Sequence, residues 1–213
     1  RCLMGVLVMV LGKSGAGKST SLRNFEADEI GIFNVAGKPL PFRKRLPKAD
    51  RCGYRDIAAM LANNDLRAYA VDDSTYLMQF SNFAKAKETG YGKFVDMAVE
   101  FERLLEAAIA TDENTVVYFL HHPDVDERGS VRPKTIGRML DEKLCIEGLF
   151  PIVLNCEVRD GKHVFSVEAD ERGIAKAPMG MFEKDVFEND LKAVDAAIRE
   201  YWRLAPLKGG DAK

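Results

Sequence analysis

Nine consecutive residues near the start of the chain, residues 12–20, have the types and spacing that bind phosphate. They read GKSGAGKST and contain the pattern GxxxxGK[ST]. Glycines let backbone N–H groups point inward around a phosphate, the lysine reaches the β- and γ-phosphates, and the serine hydroxyl binds Mg²⁺. The alternative is a plain glycine turn. We predict nucleotide binding by the following residues: Gly12, Ser14, Gly15, Ala16, Gly17, Lys18, Ser19 and Thr20.

Two adjacent carboxylates, Asp72 and Asp73, follow an apolar run that is typical of a buried strand. A carboxylate at the end of such a strand completes the Mg²⁺ site of a phosphate-binding loop. We therefore assign Mg²⁺ to Ser19 and Asp72. Asp73 is placed to orient or deprotonate an attacking water, or else to cap the helix that follows it.

A histidine, His121, follows the apolar residues 116–120. Ligands of open α/β sheets bind at the carboxyl ends of the strands. His121 is therefore a candidate sensor of the γ-phosphate, with a purely structural role as the alternative. Together with Lys18 and Asp73 it belongs to the predicted catalytic residues.

Basic residues concentrate in residues 37–55, where seven of them stand against one acidic residue for a local charge of +6. Two aromatic residues are interleaved, a pattern that fits contacts with the phosphates and bases of single strands. The alternatives are a solvated loop and a docking site for an acidic partner.

Two further glycine-bearing loops, residues 81–93 and 123–134, are candidates for polymer contact or gating. The predicted nucleic-acid contacts are Lys38, Arg43, Lys44, Arg45, Lys93, Arg128 and Arg132.

Composition limits the class of protein. The chain has 213 residues, 46% of them hydrophobic, which excludes a disordered chain and leaves room for one full core. With 31 basic and 33 acidic residues the net charge is −2, so no global positive field favours nucleic acid. The four cysteines form no CxxC pair, which argues against zinc and for an intracellular protein. The longest apolar run, residues 3–11, is about half of a membrane span.

Apolar segments alternate between strand and helix patterns. Short buried strands are predicted at residues 3–11, 30–35, 66–71, 115–120 and 151–156. Helices are predicted at residues 19–25, 57–62, 94–108 and 135–144, and a hairpin at residues 153–169 precedes a last amphipathic helix. This alternation predicts a single α/β domain with a mainly parallel central sheet flanked by helices, ending in a β-hairpin and a helix.

Four segments together resemble a known family: GKSGAGKSTSLRNF, FNVAGKPLPFR, AVDDSTY and RGIAKAPMGMF. They are similar to phage-encoded RecA-like P-loop ATPases associated with single-strand annealing recombination. The resemblance implies a RecA-like core with an extra strand between the two nucleotide-binding strands and cytoplasmic action on single-stranded DNA. It also implies assembly into a homo-oligomer and cooperation with a single-strand-binding protein. By pattern, Lys176 matches the lysine that reaches a neighbour's γ-phosphate, with Arg159 as second choice.

The chain departs from RecA in one respect, because no acidic residue follows residues 30–35, where RecA keeps its catalytic glutamate. The paired Asp72 and Asp73 are closer to the AAA-type arrangement. Three functions therefore remain open. They are a Mg²⁺-dependent ATPase that binds single-stranded DNA, a small-molecule or nucleoside kinase with Arg128 and Arg132 in a lid, and a nucleotide-switched module with little turnover.

Overall fold

Ten strands and four α-helices make up the described part of the chain, residues 4–63, 65–127, 129–136, 145–168 and 173–207 of a computed structural model. The strands are β1 Val6–Leu11, β2 Gly31–Asn34, β3 Lys48–Asp50, β4 Ala68–Asp72, β5 Val116–His121, β6 Pro123–Val125, β7 Val131–Pro133, β8 Ile152–Arg159, β9 Lys162–Ser166 and β10 Val186–Glu188. The α-helices are α1 Tyr54–Asn63, α2 Thr75–Ala84, α3 Gly92–Ile109 and α4 Leu191–Trp202. Two short 3-10 helices span Ser19–Asn24 and Ile146–Leu149.

Eight strands form one sheet in the order β10-β9-β8-β1-β5-β4-β2-β3. The strands from β8 to β3 are parallel, whereas β9 and β10 continue the sheet antiparallel. One strand, β5, separates β1 from β4, as the family resemblance implies for a RecA-like core. The predicted fold class, a mainly parallel sheet flanked by helices with a C-terminal hairpin and helix, is confirmed.

The sheet is buried on both faces because successive side chains of a strand point to opposite sides. In β5, Val117 and Phe119 pack into the core layer that contains the apolar face of α3. Tyr118 and Leu120 face the other layer, which contains the apolar residues of α4. Burial on both faces explains the continuous apolar run of this strand.

Several boundaries differ from the predictions. The predicted helix at residues 19–25 is a 3-10 helix, and the irregular segment 37–55 contains β3 and the start of α1. The predicted loop at residues 123–134 contains the two-stranded sheet of β6 and β7, whose first and last residues are prolines that pair with each other. The predicted loop at residues 81–93 is helical only at its two ends, where α2 ends and α3 begins. Of the predicted helix at 135–144, residues 137–144 lie outside the described part of the chain.

Among the described helices, none is both long enough and apolar enough to cross a bilayer.

Candidate functional site

The phosphate-binding loop joins the carboxyl end of β1 to the 3-10 helix at Ser19–Asn24. Gly17 has φ of 107°, a conformation that L-residues with a side chain rarely adopt. A Cβ atom there would also lie 3.0 Å from Nδ1 of His163, which belongs to β9. Glycine at this position therefore lets the loop close against the β8–β9 hairpin.

Lys18 is nearly buried at the base of the loop, with 5% of its surface exposed. Its ammonium group donates hydrogen bonds to the carbonyl oxygens of Gly12 at 2.6 Å and Lys13 at 3.2 Å. Burial lowers the pKa of Lys18, and the nearby carboxylates of Asp73 and Asp72 oppose this shift. The amine is thus held inside the loop, next to the position predicted for phosphate.

Ser19 and Asp72 meet although they lie 53 residues apart in the sequence. The Ser19 hydroxyl donates a hydrogen bond to Asp72 Oδ1 at 2.8 Å. Burial raises the pKa of Asp72 to about 6, in spite of this hydrogen bond. A hydroxyl beside a carboxylate matches the hard oxygen ligands that Mg²⁺ prefers when phosphate oxygens and water complete its shell. No group of three or more His, Cys, Asp or Glu residues that could hold a metal occurs within the described ranges.

Asp73 has different neighbours from Asp72. Its carboxylate lies 2.8 Å from the Lys38 amine and 3.4 Å from Nε2 of His122. Burial alone would raise the pKa of Asp73, but hydrogen bonds from His122 and Lys38 lower it to about 2. Its φ of 59° lies in the left-handed region, which aspartate tolerates better than most residues. The carboxylate is directed to these two partners, and the helix that follows has Ser74 at its N-cap.

His121 does not face the cleft. Its ring is fully buried, with Nδ1 2.8 Å from the Ser74 hydroxyl and Nε2 2.8 Å from the Lys134 carbonyl. Burial lowers the pKa of His121 to about 4. The next residue, His122, lines the cleft instead, because alternate residues at the end of β5 point to opposite sides.

These side chains surround one open cleft of about 270 Å³ at the carboxyl ends of β1 and β4. The structure brings together six of the eight predicted loop residues, both aspartates and three further groups: Lys38 with two prolines of residues 37–41, His122, and His163. Gly12 and Ala16 do not line this cleft. The cleft is lined by Ser14, Gly15, Gly17, Lys18, Ser19, Thr20, Lys38, Pro39, Pro41, Asp72, Asp73, His122 and His163.

The predicted nucleic-acid residues separate into different environments. The prediction that Lys38 contacts nucleic acid is corrected, because its amine binds Asp73 in the cleft instead of projecting from a basic surface. Lys44 pairs with Glu26 at 2.7 Å. Arg43 and Arg45 are exposed on the same segment.

The remaining predicted contacts lie on the two loops. The Lys93 amine lies 5.0 Å from the ring centre of Phe94. Arg132 lies 3.6 Å from Asp124 across the β6–β7 hairpin. Arg128 lies outside the described part of the chain.

Lys176 does not line the cleft of its own chain. Its backbone pairs with Val153 of β8 through hydrogen bonds of 2.8 and 2.9 Å. Arg159, the second choice, pairs with Glu157 and Glu168 at 2.7 and 2.6 Å. A role for Lys176 in a neighbouring subunit stays a prediction.

Comparison with known proteins gives partial similarity. No family model matches the chain. A "nucleotide-binding protein in ptsN-ptsO intergenic region" from Shewanella violacea is 37% identical over 82 residues, which are 38% of this chain. The match spans about a quarter of that relative's length (27%). The flagellar accessory protein FlaH from Methanocaldococcus jannaschii aligns with 87% of this chain and 86% of its own, with a TM-score of 0.42 and 12% identity.

The buried carboxylate of Asp72 leads to a pH-dependent prediction. Its pKa is raised in the folded protein to about 6, so the folded state binds a proton that the unfolded state has already lost between about pH 4 and pH 6. Stability from this group therefore falls as the pH rises through that window. We expect Asp72→Asn to raise the free energy of unfolding at pH 7 by at most about 3 kcal/mol, with little gain at pH 4.

Urea unfolding of both proteins at pH 4, 5, 6 and 7 measures this difference, with Asp185→Asn as the control because Asp185 is an exposed aspartate that does not line the cleft. A constant difference across that range, or a loss of stability at pH 7, would contradict the assignment.

Proposed function

We propose that the protein is a Mg²⁺-dependent ATPase. The observation that carries this proposal is the contact of Ser19 with Asp72 beside the buried Lys18 amine, at the carboxyl ends of two parallel strands. Phosphoryl transfer depends mainly on positioning and charge stabilisation, and this arrangement supplies both. The partial relative described as a nucleotide-binding protein supports the binding step.

Each cleft residue has a role in the proposed reaction. The loop N–H groups and Lys18 bind the phosphates. Ser19 and Asp72 would hold Mg²⁺, which would neutralise the charge that develops on the phosphate oxygens. Asp73 orients the attacking water. A carboxylate with a pKa of about 2 is a weak base, so positioning is its main contribution while Lys38 and His122 bind it.

Lys38 and His122 complete the site at its γ-phosphate end. Both donate to Asp73, and both lie in the cleft with their polar atoms beside it. A γ-phosphate placed there offers a second, more highly charged acceptor to the same donors. His122 takes over the sensor role that the sequence suggested for His121.

We propose single-stranded DNA as the partner that stimulates turnover, in phage or prophage recombination or annealing. Arg43 and Arg45 are exposed on the basic segment, which begins at the cleft with Lys38. Exposed aromatic side chains, Phe80 and Phe83, lie on α2, which starts beside Asp73. Such a combination of exposed arginines and aromatic rings suits phosphate contacts and base stacking. Assembly into a homo-oligomer with Lys176 acting between subunits belongs to the same proposal, as does cooperation with a single-strand-binding protein.

The ATPase proposal predicts separate effects for Lys18 and Asp73. We expect Lys18→Ala to abolish ATP binding and turnover, because the phosphates lose their buried cation. Asp73→Asn should lower kcat by about 10² to 10⁴ while ATP still binds, since water loses its orienting group. Phosphate release and ATP binding are measured with and without single-stranded DNA, and Asp185→Asn serves as the unaffected control.

Stimulation by single-stranded DNA agrees with the proposal. Phosphate transfer that occurs only with a small acceptor would identify a kinase instead. ATP binding without any turnover would identify a nucleotide-switched module.

The DNA proposal is tested by salt dependence. The affinity for a single strand falls as salt rises, and each phosphate contact contributes about 0.7 to the steepness of log affinity against log salt. We therefore expect the double variant Arg43→Ala/Arg45→Ala to make this slope less steep by about 1.4. A matched double variant, Lys184→Ala/Arg203→Ala, removes two exposed positive charges elsewhere and should leave the slope unchanged. Equal slopes for both double variants would contradict DNA contact by the basic segment.

A further inference from the structure

Tyr76, in the first turn of α2, lies against both groups that pair with Asp73. The Lys38 amine lies 5.0 Å from the centre of the Tyr76 ring. The imidazole of His122 lies at 6.0 Å between ring centres, with the two planes nearly perpendicular at 89°. Both distances are typical of attractive contacts with an aromatic ring. Tyr76 is half-buried and does not line the cleft, so it contacts the two donors without facing the phosphate position.

The backbone around Tyr76 is tied to the end of β5. The Tyr76 N–H group donates a hydrogen bond to the carbonyl of Asp73 at 2.9 Å. The preceding hydroxyl, that of Thr75, accepts a hydrogen bond from the backbone N–H group of His122 at 2.8 Å. The ring is therefore presented to its two neighbours from a fixed support, which is what a positioning side chain requires.

Lys38 depends on such support because its side chain is long and 59% exposed. Its hydrogen bond with Asp73 raises the pKa of Lys38, so the amine is charged and is attracted to the face of the ring. In the proposed reaction a γ-phosphate competes with Asp73 for this amine. The contact with Tyr76 does not depend on that exchange. It limits the conformational freedom of the lysine while its acceptor changes.

The Tyr76 ring also meets the exposed aromatic side chains of α2. The ring of Phe80, one helical turn further on, lies 5.6 Å from it between centres. Phe80 and Phe83 are 49% and 74% exposed, and we have placed the bases of a single strand against them. A continuous series of ring contacts thus leads from this exposed face through Tyr76 to the γ-phosphate end of the cleft.

We propose that Tyr76 is a positioning residue that orients Lys38 and His122 toward the γ-phosphate and links turnover to a single strand bound on α2. Bases stacked on Phe80 hold the Tyr76 ring against these two donors, so a larger fraction of the protein has them in the productive orientation. Tyr76 itself touches no reacting atom. This inference rests on the proposed ATPase and its DNA partner, and it adds the regulation of that site.

Phosphate release with and without oligothymidine tests this role. We expect Tyr76→Leu to lower the stimulated kcat about tenfold, because the donors lose the ring that orients them. The KM for ATP and the affinity for oligothymidine should stay unchanged, since phosphate and base contacts remain. Tyr76→Phe keeps the ring and should keep the stimulated kcat. Tyr76→Met, which fills the space with a flexible apolar chain, should behave like Tyr76→Leu and serves if the leucine variant does not fold.

A double-mutant cycle separates positioning from a purely structural role. If Tyr76 acts through Lys38, Tyr76→Leu should reduce kcat by a smaller factor in the Lys38→Ala protein than in the wild type. A structural role would give the same factor in both backgrounds. Tyr201→Leu is the matched control, because Tyr201 is a partly exposed tyrosine of α4 that does not line the cleft. Its kcat and its stimulation should equal those of the wild type.

Three results would overturn the inference. An equal stimulated kcat in the wild type and in Tyr76→Leu, or equal factors in the two backgrounds, would overturn the positioning role alone. ATP turnover that oligothymidine does not stimulate would overturn the link to the exposed face of α2. Absence of any ATP turnover in the wild-type protein would overturn the proposed function, and the role of Tyr76 with it.

Discussion

Three charged side chains, Lys18, Asp72 and Asp73, lie nearly buried at one edge of the sheet, and the rest of the site depends on how their charges are stabilised. Removing a charge from water costs several kcal/mol unless other groups replace the lost solvation. Lys18 donates hydrogen bonds to two loop carbonyls, and Asp72 accepts one from the Ser19 hydroxyl. The carboxylate of Asp73 pairs with Lys38 and His122. The parallel sheet makes this possible because β1 and β4 end at the same edge, one strand apart. In the proposed function, a nucleotide with Mg²⁺ would bind the same groups. These contacts therefore stabilise the charges in the free protein, and the ligand would replace them.

The surrounding residues give the two adjacent aspartates, Asp72 and Asp73, very different pKa values. Burial raises the pKa of Asp72 to about 6, whereas the hydrogen bonds of Asp73 lower its pKa to about 2. Titratable pairs whose pKa values are pushed apart in this way are typical of sites that divide chemical roles. Above about pH 6 Asp72 is charged, and the Ser19 hydroxyl offsets part of the cost of its burial. Asp73 stays charged at lower pH because Lys38 and His122 donate to it.

The sequence predicts the parts of the site that are local and fails where packing decides. Gly12 to Thr20 and Asp72 are recognised because a short motif or a strand end defines them, and the fold class follows from alternating strand and helix patterns. His121 is predicted to face the ligand, but its ring is buried and His122 lines the cleft, because the pleat of β5 decides which imidazole faces that side. The strand end cannot be located to one residue from the sequence. Lys38 belongs by composition to a basic segment, yet its amine is bound by an aspartate 35 residues away.

A crystal structure of the protein with Mg²⁺ and a non-hydrolysable ATP analogue tests the central claim most directly. The account predicts Mg²⁺ at about 2.1 Å from the Ser19 hydroxyl, with Asp72 beside it. It also predicts that the Lys18 amine leaves the Gly12 carbonyl for the β- and γ-phosphates. A triphosphate bound outside the loop, or a Lys18 amine still bound to the Gly12 carbonyl with the phosphates in place, would contradict it.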